Sequence, residues 1–281
     1  MPLAYFCTDL HGRRDRYVKL WDAVAAERPE AVFLGGDLFP HAMFGGPGAF
    51  TADHFEQGWD RLRKSLGAGY PRVFVILGND DPAVHVAGLH VGEMAGLWQY
   101  AHGRVLEWEG YGVLGYNCIP PSPFQLKDWE RYDVSRFVDP GCLSPEEGRR
   151  TDGLAARVIR HTTIRDELAA ASADADLRRT ICLFHCPPYK CALDRAALDG
   201  KTVDHVPLDV HIGSVAIREF LESRRPLLGL HGHVHESTRL TGSWREEIGG
   251  VPAVNGAHDG RELALVRFDP AHPRDASREL L

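Results

Sequence analysis

Short apolar runs alternate with helix-like patterns along the 281-residue chain. Unbroken apolar stretches over 3–8 (LAYFCT), 31–36 (AVFLGG), 73–77 (VFVIL) and 227–230 (LLGL), with RTICLF at 179–184, read as buried strands. Further strands are expected near 251–255 and 262–268, and two short ones within 102–117 joined by a turn at Glu109-Gly110. Between them, 15–28 has a helical pattern with Val18, Trp21, Val24 and Ala25 on one face. Segments 53–68, 152–172 and 214–226 are also helical, the last with Ser214 as its N-cap. A Gly- and Pro-rich loop covers 39–49, and two long irregular stretches, 118–150 and 189–212, exceed ordinary connections. This alternation predicts an α/β layered fold. With no interdomain linker in sight, 1–281 is expected to be one domain with loop or cap insertions near 118–150 and 189–212.

The strands share an unusual ending. Strand 3–8 runs into TDLHG, presenting Asp9 and His11, and strand 31–36 into Asp37. Strand 73–77 runs into GNDD, presenting Asn79. Strand 179–184 is followed by His185, and 227–230 by HGHVH, with His233 and His235. Taken singly, an Asp after a strand is a turn residue or helix cap, and a lone His is a hydrogen-bonded core residue. Five strand tips each offering a metal-competent side chain are different, because ligand crevices in such sheets lie beyond the carboxyl ends of the strands. In extended backbone, residues two apart share a face, which predicts that Asp9 with His11, and His233 with His235, point into one cavity. Four imidazoles, two carboxylates and one amide oxygen suit Mn, Fe or Zn. Seven donors exceed one tetrahedral site and fit two ions sharing a carboxylate, a pair that clamps phosphate.

Composition narrows the chemistry. Lys and Arg total 32 against 39 Asp and Glu, a formal charge of −7, so no dedicated nucleic-acid surface is expected. A metal cluster supplies local positive charge that this count does not see. No apolar run approaches a membrane span, and the first residues, MPLAYFCTDLHG, lack the basic region and cleavage site of a signal peptide. The six cysteines contain no CxxC pair and read as reduced thiols of a cytoplasmic protein, with Cys182, Cys186 and Cys191 as small buried residues. The oligomeric state is not legible.

In this order, DLHG, GGD, GND, FHCPP and GHVH resemble the calcineurin-like metallophosphoesterase superfamily, over residues 7 to about 258. TTIRDELA, HCPPYKCALD, HIGS and LLGLHGHVHES look closest to its bacterial and archaeal Icc-related group, while VNGAHDG departs from the usual N-P-G and leaves Asn255 without a role. The resemblance implies a four-layer α/β sandwich of two mixed sheets flanked by helices, with a dinuclear metal site at the strand ends. It implies that Asp9, His11 and His235 hold one ion, that Asn79, His185 and His233 hold the other, and that Asp37 bridges them. It further implies hydrolysis of a small phosphoester by metal-activated water. His231 is expected to play a supporting or structural part.

The family motif has a His after the Asn ligand; here that place holds Asp80, with Asp81 at the familiar acidic position. Relatives without this His lean towards diesters or activated esters. Asp37 and Asp80 are therefore the candidate catalytic residues, and Asp80, His211 and Lys190 candidate substrate contacts, with Arg195 a weaker one. The favoured function is hydrolysis of a phosphodiester or nucleotide-type substrate. A monoesterase or pyrophosphatase on the same site is the alternative, and a non-catalytic scaffold disagrees with seven intact ligand positions.

Overall fold

The computed structural model describes residues 3–41 and 50–281. The predicted Gly/Pro loop thus lies largely outside the described residues. Two six-stranded sheets are present. The first has β1 (Ala4–Cys7), β2 (Ala31–Gly35), β3 (Arg72–Ile76) and β4 (Gln99–Tyr100) parallel to one another. The second has β5 (Val105–Trp108) antiparallel to β6 (Tyr111–Tyr116), then β7 (Thr180–Phe184) parallel to it. A hairpin of β8 (Thr202–Val203) and β9 (Val206–Pro207) stands apart within the 189–212 loop. β10 (Leu228–His231) pairs with β7, β11 (Arg245–Ile248) edges the second sheet, and β12 (Val251–Asn255) joins β10 to β11. β13 (Ala264–Phe268) returns to the first sheet antiparallel to β1, and β14 (Ser277–Leu280) pairs antiparallel with β13 at the edge.

The two-residue strand period sorts side chains between layers. Ala4, Phe6, Phe33, Phe74 and Ile76 face the second sheet and meet Trp108, Val113, Ile181, Leu183 and Leu230. Tyr5, Cys7, Val32, Leu34 and Val75 point the other way, into a core shared with Tyr17, Leu20, Trp21 and Trp59. The second sheet repeats this, with Tyr116, Cys182 and Phe184 facing Ile217, Phe220 and Leu221. The strands are apolar on both faces because both faces are covered. The result is the expected α/β order of helix, sheet, sheet, helix.

Two expectations are corrected. In the first helix, Arg14–Glu27, the buried stripe is Tyr17, Leu20, Trp21 and Val24, while Val18 and Ala25 are exposed. Tyr17 takes the buried place because its ring packs inward and its hydroxyl donates to the Leu38 carbonyl at 2.8 Å. Segment 152–172 is two short helices, Ala156–Arg160 and Ile164–Ala171. The chain breaks where Ile164 N–H donates to Tyr132 O at 2.8 Å, and the Thr163 hydroxyl caps the second helix by accepting from Asp166 N–H. The edge strands β4, β11 and β14 escape an apolar reading: β4 because it is only two residues long, β11 and β14 because they carry charges. Ser214 caps the helix Val215–Arg224 as expected. The turn at Glu109-Gly110 carries two positive φ angles, 48° and 77°, which match a type I′ hairpin.

Candidate metal centre

The carboxyl ends of β1, β2, β3, β7 and β10 open on the same side, and the tips are tied together by backbone. Asp9 N–H donates to Gly36 O, His11 N–H to Asp37 O and Gly12 N–H to Leu38 O, at 2.8–2.9 Å. Across the sheets, Gly232 N–H donates to His185 O at 2.9 Å. Asp9, His11, Asp37 and His233 all have left-handed backbone, with φ of 56°, 47°, 50° and 69°. The predicted pairs do converge, but the extended-strand reason for it is wrong: tight turns aim the side chains, at a backbone cost that clusters at functional sites.

Asp9, His11, Asp37 and His235 bring one ligand atom each within 4.8 Å of one another. His235 Nε2 lies 2.9 Å from Asp9 Oδ1 and 3.1 Å from His11 Nε2. His185 Nε2 lies 3.0 Å from Asn79 Oδ1 and 3.4 Å from Asp37 Oδ2, while its Nδ1 donates to Gly35 O at 2.8 Å, fixing the tautomer. The ring centroids of His185 and His233 are 5.3 Å apart. Asn79 and His185 thus adjoin the four through Asp37, and the His233 ring lies beside His185.

The neighbours of this group have almost no volume to give. A Cβ on Gly78 would come 2.3 Å from Asp37 Oδ1 and 2.5 Å from His185 Cε1. A Cβ on Gly232 would come 2.5 Å from Asp9 Oδ2. These glycines are required by close approach of backbone to ligand side chains.

Asp9 and Asp37 are fully or nearly buried, and their ion pairs are with imidazoles. Burial raises the pKa of Asp9, but His235, His185 and His11 outweigh it and hold the carboxyl well below its usual range. Burial lowers the pKa of His235, but Asp9 and Asp37 more than compensate and raise it to about 9. His185 rises to about 10, burial being outweighed by Asp37 and Asp9. His233 falls to about 3 through burial and the neighbouring His185. Two buried carboxylates facing four imidazoles, with no lysine or arginine head among the ion pairs given above, form the donor chemistry of divalent cations, so the residues fit a metal centre.

Asp80 stands beside this cluster. Its backbone N–H donates to Asp37 Oδ1 at 2.8 Å, and its carboxylate accepts from Asn79 Nδ2 at 3.0 Å. Asp80 Oδ2 is 3.7 Å from His11 Nδ1 and 3.6 Å from His41 Nε2. Burial and then Asp37 raise its pKa to about 6. The other substrate candidates are engaged elsewhere. His211 Nδ1 pairs with Asp194 Oδ1 at 2.7 Å, Arg195 with Asp199 at 2.5 Å, and the Lys190 side chain is exposed.

Four residues support the cluster, and of these sequence reasoning passed over Arg16. The Asp81 carboxylate accepts from Leu38, Phe39 and Gly78 N–H at 2.9–3.0 Å, clamping the β2 and β3 tips. Arg16, buried, donates to Asp9 O at 2.6 Å and Gly260 O at 2.7 Å. Asn255 is fully satisfied: its Nδ2 donates to Leu193 O, Val234 O and Ser237 Oγ, and its Oδ1 accepts from Ala257 N–H. It thereby holds the turn that carries His233 and His235. His231 Nδ1 donates to Cys186 O at 2.9 Å. Asp81, Asn255 and His231 stand in or beside the family motifs, whereas Arg16 carries no such signal.

Fold and site together define a metal-binding α/β sandwich. Residues 4–237 match the family model of the calcineurin-like phosphoesterases, and the chain belongs to that family. It is a metal-dependent phosphoester hydrolase, and family and cluster together fit a dinuclear divalent metal site. No curated protein matches the sequence. Among solved structures, TT1561 of Thermus thermophilus is similar at 16% identity, over 99% of this chain and 98% of that one, with a TM-score of 0.60. A dimetal phosphatase from Danio rerio is similar at 13% identity, over 94% and 91%, with a TM-score of 0.50. At these identities the likeness is one of fold. Among the described residues, no helix is long and apolar enough to cross a membrane.

Proposed function

We propose that this hydrolase acts on phosphodiesters or nucleotide-type esters in the cytoplasm. Asp9, His11 and His235 would hold one ion, Asn79, His185 and His233 the other, and Asp37 would serve both. Mn, Fe or Zn fit these nitrogen and oxygen donors. Bound there, two ions supply positive charge to phosphoryl oxygens and acidify an attacking water. Six free thiols agree with a reducing compartment.

The observation that carries the substrate reading is Asp80. Its carboxylate lies against the cluster with its side chain one-fifth exposed, 20%. A monoester brings nearly two negative charges at neutral pH and a diester one, so a fixed carboxylate disfavours the monoester more. The test is a panel of phosphomonoesters, cyclic nucleotides, dinucleotides and nitrophenyl diesters with the Mn²⁺-loaded protein. Diesters should give the higher kcat/KM, and Asp80→His should raise the monoester-to-diester ratio by roughly tenfold, the equivalent of about 1.4 kcal/mol. A wild-type preference for monoesters, or a ratio unmoved by the substitution at equal metal content, refutes this reading.

A further inference from the structure

We propose that His41, held by Asp80, is the proton donor to the leaving group. This rests on the phosphodiester reading above. A diester expels an alkoxide or phenoxide that needs a proton as the bond breaks, and a carboxylate, Asp80, stands where the family motif has an imidazole. Two imidazoles face Asp80. His11 turns its Nε2 to His235 and Asp9, inside the cluster. His41 stands outside it, with half of its side chain, 51%, exposed and Nε2 3.6 Å from Asp80 Oδ2. Catalytic contacts in an unliganded site are often this long and tighten around substrate.

The backbone that delivers His41 is pinned from three directions. The Asp81 carboxylate takes the N–H groups of Leu38 and Phe39. The Leu38 carbonyl accepts from Gly12 N–H and from the Tyr17 hydroxyl, both at 2.8 Å. Pro40 lies so close over Gly12 that a Cβ there would come 2.3 Å from the proline Cγ. The tip of β3 therefore supplies both the clamp on residues 38 and 39, through Asp81, and the carboxylate facing His41, through Asp80. An acidic residue where the family has His and an imidazole four residues beyond Asp37 form one device: the carboxylate orients and the imidazole donates.

In the step, a water oxygen bonds to phosphorus and releases its proton to solvent. The ester P–O bond breaks, and its electron pair stays on the departing oxygen. That oxygen takes the proton from His41 Nδ1, the ring nitrogen away from Asp80, while Nε2–H stays directed at the carboxylate. The neutral imidazole is reprotonated from the water around its exposed side.

The experiment measures kcat/KM of Mn²⁺-loaded wild type, His41→Gln and Asp80→Asn on aryl and alkyl phosphodiesters of graded leaving-group acidity. His41→Gln should lose roughly 10²-fold on weakly acidic alcohols and only a few-fold on nitrophenol, because an acid matters most for the poorest leaving group. Asp80→Asn should steepen the same dependence more weakly. Metal content should equal that of wild type, and the ring resonances of His41 in the protein without added metal should shift when Asp80 becomes Asn. An unchanged leaving-group dependence, a loss of metal in His41→Gln, or His41 resonances indifferent to Asp80 would each overturn the assignment. A wild-type protein that hydrolyses no diester would instead sink the reading of the site on which it rests.

Discussion

At the scale of single residues, Asp37 carries more of the site than any other side chain. One of its oxygens accepts from Asp80 N–H and the other faces His185 Nε2, while it also belongs to the tight group with Asp9, His11 and His235. It thus touches both halves of the proposed ligand set, whereas Asn79 touches one. Asp37→Asn should accordingly strip both ions, and Asn79→Ala should leave close to one equivalent in place. Metal analysis after Mn²⁺ loading and desalting checks this. Wild type should approach two equivalents, and equal losses in the two variants would show that Asp37 is not shared. The asymmetry rests on chemistry as well as position, since a neutral amide replaces a charged donor at the point where two cations would repel each other most.

Secondary-structure elements show a different kind of dependence, in which a side chain joins strand ends. His102 follows β4, and its Nδ1 accepts from Asn117 N–H at 3.1 Å, just beyond β6. Its ring packs against Trp129, with centroids 5.2 Å apart. Burial, with a smaller effect from Arg131, lowers its pKa to about 3. Protonation would set an N–H against the Asn117 N–H. His102 therefore contributes stability that is fully present above about pH 6.5, its unfolded value, and is lost as the pH falls from there towards 3. Because His102 is only partly buried, the loss between pH 7 and 5 should be about 1 kcal/mol. Urea unfolding in the presence of chelator measures it. His102→Asn keeps an acceptor but no titrating ring and should lose less over that interval; a loss as large as that of wild type would count against His102. The same elements show what was legible in sequence. Buried strands such as β1, β2, β3 and β7 declare themselves because both faces are apolar, and each leads directly to a candidate ligand. Edge strands β11 and β14 do not, because REEI and SREL carry the charges that keep edges from pairing with other chains. The break at Thr163 was invisible because its cause, the pairing of Ile164 with Tyr132, is a contact across sequence. The seven candidate donors were legible as strand endings. Arg16 was not, because its work is to hold backbone groups whose positions only the fold defines.

Across the whole molecule, the cluster lies where two independent sheets meet. Asp9, His11, Asp37 and Asn79 come from loops after β1, β2 and β3 of one sheet, and His185, His233 and His235 from loops after β7 and β10 of the other. Ions held between them would act as a cross-link between layers. The layers also have a hold of their own: Phe33 lies between the sheets with Phe74, Trp108 and Phe268 at centroid distances of 5.1, 5.7 and 5.6 Å. Apolar contact of this kind does not depend on metal, so chelation should leave the protein folded at 25 °C. It should still lower the melting temperature. A ligand that binds only the folded state at 100 times its Kd stabilises by about 2.7 kcal/mol. For a chain of this size that corresponds to a shift on the order of 5 °C. Thermal unfolding with EDTA, and again with excess Mn²⁺, gives the comparison. Asp37→Asn should melt at the same temperature in both conditions, because it retains the aromatic layer and loses the shared donor. A wild-type melting temperature that ignores metal would mean that the two sheets are joined by their apolar faces alone, with no cation between their tips.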